Sequence, residues 1–187
     1  MTRNLPIAIA ALTLLVTPPA LADNRYAKHA RHARPDSSFS GSCQFAAVVV
    51  FEPRLSTSPQ SVTDAARGTG TCSGTFIAPH RDQQLTNAPV SYIASDKGPD
   101  ATCAAASQIG TGALLFPGGE IKFGLSETRA VSAALLTLTG RNTGSAAGVA
   151  AISQSENPLT LAQECSGSGI PQVDVTITLH TTPAMSG

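Results

Sequence analysis

The side chains in this sequence that could do chemistry are four cysteines, four histidines, a few serines in small-residue surroundings and twelve acids. Cys43, Cys72, Cys103 and Cys165 are spaced too widely for the close ligand pairs of a structural zinc site. An even count in an exported chain favours two disulfides instead, leaving no thiol for catalysis. Four cysteines allow three pairings, and Cys43 with Cys72 and Cys103 with Cys165 is the simplest sequential scheme. Each bridge would close a loop of tens of residues, restricting the unfolded chain by roughly 3 to 4 kcal/mol.

The remaining candidates are weaker. His29 and His32, in Lys28-His29-Ala30-Arg31-His32-Ala33-Arg34, could share one helical face toward a metal ion, but the surrounding cations oppose a bound dication. Ser73 and Ser168 lack the Gly-x-Ser-x-Gly elbow, and a triad also needs a positioned histidine. His80 follows Pro79 in an expected loop, and His180 should point outward from the last strand. The acid pairs Asp96 with Asp100 and Glu156 with Glu164 fall in turn-rich or loop segments without the ligand spacing of a calcium loop. With no tryptophan and only Tyr26 and Tyr92 as tyrosines, a stacking platform for sugars or bases is hard to assemble. Gly110-Thr111-Gly112 and Gly167-Ser168-Gly169 lack the lysine and following helix of a phosphate loop and read as turns. The sequence therefore points to no catalytic constellation, metal or cofactor.

The elements that must position these residues begin after a secretory leader. Arg3, the apolar run Leu5 to Val16 and Ala20-Leu21-Ala22 have the form of a signal peptide, residues 1–22, cleaved after Ala22. Residues 23–40 are basic and almost without large aliphatics, and are expected to be a disordered linker. From Gly41 onward seven basic residues face ten acidic ones, so residues 41–187 form a mildly acidic body. Near-neutral overall charge argues against nucleic acid as a partner, and no later apolar run is long enough for an integral membrane helix.

Within the body, Gln44 to Phe51 reads as a strand buried on both faces and ended by Glu52-Pro53. Leu55 to Arg67 reads as a loop with one helical turn near Val62 to Ala66. Gly68 to Ile77 and Val90 to Ala94 are strands, the second closed by turn signals from Ser95 to Asp100. Pro117-Gly118-Gly119 marks a hairpin whose second arm puts Ile121, Phe123 and Leu125 on one face. Ala130 to Thr139 and Ala146 to Ser153 are strands, and Glu156 to Glu164 is a loop with one helical turn. Val173, Val175, Ile177 and Leu179 alternate with polar residues at strict period two. Seven or eight short strands with two bridges predict an all-β, disulfide-stabilised antiparallel β-sandwich. The functional expectation is a secreted, non-enzymatic interaction module for an extracellular protein or cell-envelope component. The alternatives are a small secreted hydrolase, using His80 or His180 with a serine or acid, and a protease inhibitor presenting a stapled loop.

Overall fold

The computed structural model describes residues 36–181 and 183–187. The expected leader, the tail histidines His29 and His32, and most of the expected linker lie outside these residues. Eight long strands, β1 (Ser38–Leu55), β2 (Gln60–Ala78), β3 (Arg81–Ala101), β4 (Ala105–Phe116), β5 (Gly119–Ala130), β6 (Ala133–Gly140), β7 (Ser145–Ile152) and β8 (Ile170–Thr181), are each antiparallel to the next. A helix, α1 (Pro158–Ser166), joins β7 to β8, and a two-residue strand, β9 (Met185–Ser186), pairs with the start of β1. Because β8 also pairs with β1, the sheet closes on itself. The all-β, antiparallel, doubly bridged architecture is as the sequence suggested, but the sandwich is corrected to a closed up-and-down barrel. Closure satisfies every edge, so no second sheet is needed to hide one.

The short strands expected from the sequence are fragments of longer ones. Leu55 and the stretch from Gln60 to Arg67 belong to β1 and β2, and Ser95 to Asp100 is the last part of β3 rather than a turn. Pro53 does not end β1, because it falls where the β1–β8 register shifts between Val50 and Leu55. There its missing N–H leaves no ladder bond unmade. Pro89 is tolerated in β3 because β4 pairs only with Ser91 to Lys97. Gly110 and Gly112 lie inside β4, not in a turn; a side chain at Gly110 would collide with the Ser95 carbonyl and with Asp96. The expected hairpin is present, Phe116 pairing Gly119 across Pro117-Gly118, with Gly118 at φ 107°.

Alternation puts one face of each strand inside. β1 is buried on one face only, with Phe45, Ala47 and Phe51 inward while Val48 and Val50 are 38% and 46% exposed. The composition boundary at Gly41 is also too late: β1 starts at Ser38, and Phe39 is fully buried. Phe39, Phe76 and Phe116 pack together at one end, the last two stacked at 4.5 Å between ring centroids, and Met185 is buried with them. Phe45, Tyr92 and Phe123 fill the middle. Such a contiguous apolar core supplies most of the driving force for folding.

Both bridges form, Cys43 with Cys72 and Cys103 with Cys165. The first joins directly opposed residues of β1 and β2. The second ties α1 to the β3–β4 connection. Asn157 starts α1 by accepting from the N–H groups of Leu159 (3.0 Å) and Thr160 (3.4 Å), with Pro158 in the first turn. The expected single turn is thus a nine-residue helix.

Candidate functional site

Opposite the phenylalanine plug, the β1–β2, β3–β4, β5–β6 and β7–β8 connections surround a cavity of about 790 Å³. Its walls are mainly apolar: Phe51 and Leu55 from β1, Ile152 from β7, Val173 and Val175 from β8, and Leu161 from α1. Cys103 and Cys165 also line it, so their bridge fastens α1 across the mouth. α1 buries none of its own residues, which makes that covalent tether and the flanking chain its chief restraints.

One wall is charged. The inward face of β5 continues past Ile121, Phe123 and Leu125 at period two, which places Glu127 and Arg129 inside the barrel. The same alternation turns Asp64 of β2, Asp96 of β3 and Gln108 of β4 inward, all buried. Arg129 organises the group. Its Nη2 donates to Asp64 Oδ2 at 2.6 Å, to Glu127 Oε1 at 2.6 Å and to Gln108 Oε1 at 3.0 Å, and its Nε donates to Glu127 Oε1 at 3.0 Å. Gln108 Nε2 donates to Asp64 Oδ1 at 2.7 Å. The guanidinium carbon lies 5.0 Å from the Phe51 ring centroid, and Nη1 is buried without a hydrogen-bond partner.

Protonation follows from this packing. Asp64 and Asp96 are directly opposed across β2 and β3, so both cannot be ionised cheaply. Burial first, then the neighbouring Asp64, pushes Asp96 well above the ordinary carboxylate range. Burial also raises Glu127 and Tyr92. Burial opposes the Arg129 charge, but Glu127 and Asp64 outweigh it and hold Arg129 above its ordinary value. A smaller space of about 30 Å³ lies below the large cavity, lined by Asp64, Tyr92, Asp96 and Glu127, and is of the size that holds an ordered water. Glu127 lines both spaces, making it the link between the buried cluster and the cavity.

The other residues singled out in the sequence are scattered. Ser73 Oγ accepts from the Asn87 N–H at 3.0 Å in the β2–β3 ribbon, and Ser168 is exposed in the turn after α1. His80 is exposed in the β2–β3 turn at the plugged end, and His180 is exposed on the outer face of β8. Neither histidine makes a side-chain hydrogen bond to a serine among the described residues. Asp100 is exposed near the end of β3 and remote from the role Asp96 takes. Glu156 Oε1 accepts from the Asp174 N–H at 2.7 Å at the cavity mouth, while Glu164 does not line the cavity.

Asp64, Gln108, Glu127 and Arg129 are not evident from the sequence, because the Ser, Thr, Gly and Asp residues around them read as turn and loop signals. The signal that finds two of them is the apolar alternation of β5, which extends unchanged through positions 127 and 129. These features define a class: a closed eight-stranded barrel, plugged by aromatic residues at one end and opening at the other into an apolar cavity with an acid-rich polar wall. No family model, curated protein or solved structure matches the chain.

Proposed function

We propose that this protein is an exported binding barrel that holds one small, largely apolar molecule inside the sheet, a specific form of the non-enzymatic module expected from the sequence. The observation that carries this reading is the cavity itself. At about 790 Å³, with apolar walls and a few convergent polar groups, it lies in the size range of ligand sites. An eight-stranded barrel is just wide enough to be filled by its own side chains or to hold one small ligand. The outer faces of β2 and β3 carry Ser61, Thr63, Arg67, Thr69, Thr71 and Lys97 beside exposed Ile77 and Ile93, a mainly polar mixture that suits a water-facing exterior on this side. No helix among the described residues is long and apolar enough to cross a membrane. The two bridges suit an oxidising compartment outside the cytosol.

Titration with Nile red, a neutral apolar dye, tests the reading. Saturable, one-to-one fluorescence enhancement is expected, and Ala150→Phe, which fills the cavity from β7, should abolish it while leaving the β-sheet circular dichroism intact. Absence of saturable uptake by the parent protein, or uptake equally strong in Ala150→Phe, refutes a ligand inside the barrel.

A further inference from the structure

The charges around the cavity specify what kind of polar end its occupant carries. We infer that the ligand is a lipophilic amine, whose ammonium group sits at Glu127 while its apolar part fills the barrel; this rests on the binding reading above.

An arginine in an apolar pocket ordinarily suggests a fatty-acid carboxylate. Here two of the three guanidinium nitrogens are already engaged. Its Nη2 and Nε are committed to Asp64, Gln108 and Glu127, and Nη1 is buried without a hydrogen-bond partner. The Phe51 ring face takes up part of the remaining charge. An incoming carboxylate would meet only Nη1, which is buried, and would sit beside two carboxylates already held by Nη2.

The acids are not engaged in the same way. The ionisable groups that line the cavity are Glu127, Glu156 and Arg129, two acids against one base. Only Oε1 of Glu127 receives donors, both from Arg129, and only Oε1 of Glu156 does, from the Asp174 N–H. The Oε2 atoms of both residues accept no hydrogen bond among the described residues. Asp64 stands behind Glu127 and adds to the same sign of potential, while the protonated Asp96 beside it adds no positive charge. The body from Gly41 onward is itself acidic, with ten acids against seven bases, so a cation is also favoured on its approach. An ammonium has three donors and one positive charge, which matches an excess negative charge and open carboxylate oxygens.

Displacement of Nile red by three chains of equal length separates the head groups: decylamine, decanol and decanoate at pH 7 and low salt. Decylamine and decanoate differ by two units of charge at the same site, and at an effective dielectric near 20 this gives at least about tenfold tighter binding of the amine. Decanol should fall between them. Glu127→Gln, which keeps the acceptor for Arg129 but removes the charge, should reduce the amine-to-acid ratio at least about threefold. Any order in which decylamine is not the tightest, including equal binding of all three, overturns the inference while leaving the binding barrel standing. Failure of Nile red itself to bind is a failure of the barrel reading instead. If Glu127→Gln does not fold, the three-chain comparison on the parent protein decides.

Discussion

Replacing Arg129 by methionine tests the organisation of the polar wall most directly. Methionine keeps much of the aliphatic stem against Phe51 but removes every donor that Asp64 and Glu127 receive from this side chain. The Arg129 and Asp64 side chains are only 13% and 3% exposed, and that of Glu127 is 12% exposed, so the pairs belong to the buried regime rather than the surface one. Removing one member of a buried ion pair typically costs about 3 to 5 kcal/mol, because the other charge is left without compensation. With two carboxylates abandoned the upper part of that range is expected at pH 7. For urea slopes of roughly 2 kcal/mol per molar this is a fall of about 2 M in the unfolding midpoint. The loss must also depend on pH. Stranded carboxylates have folded-state pKa values above their unfolded ones, so the variant regains stability as pH falls through the folded-state values, fully only below about 4, where the unfolded chain also takes up the protons. Urea melts of parent and variant at pH 7 and pH 4.5 measure both effects. A difference below about 1 kcal/mol at pH 7, the worth of an exposed pair, would refute the buried, Arg129-centred arrangement. So would a larger difference that does not shrink on acidification.

Two further outcomes follow from the same structure. Asp96 binds its proton more tightly folded than unfolded, so its contribution is complete below its unfolded pKa and is lost as pH rises from about 4 through about 9. Asp96→Asn removes that dependence; urea melts across this interval should show a flatter stability profile in the variant, and an unchanged slope would contradict a protonated Asp96. Opening the bridge across the mouth with Cys103→Ser and Cys165→Ser removes a crosslink spanning 62 residues, worth about 4 kcal/mol in the loop-entropy model. Because α1 buries none of its residues, the same double variant should release Nile red faster in stopped flow, whereas Cys43→Ser with Cys72→Ser should lower stability without that effect.

What the sequence by itself determined is whatever depends on local pattern. Alternation in Val173 to Leu179 and in Ile121 to Leu125 specified strands and their buried faces, because side-chain direction in a strand has period two regardless of what lies beyond it. Pro117-Gly118 specified its hairpin for the equally local reason that glycine reaches positive φ without strain. The cysteine count suggested two bridges, though not by itself their partners. Closure into a barrel was decided only by the tertiary structure, since nothing in a single strand says whether its second edge meets a neighbour or water; the pairing of β8 with β1 joins residues more than a hundred positions apart. The polar wall is non-local in the same sense. Asp64, Asp96, Gln108, Glu127 and Arg129 come from four strands and look like ordinary surface or turn residues in isolation. They became one charged site because a closed sheet leaves inward polar groups no solvent to turn to except one another.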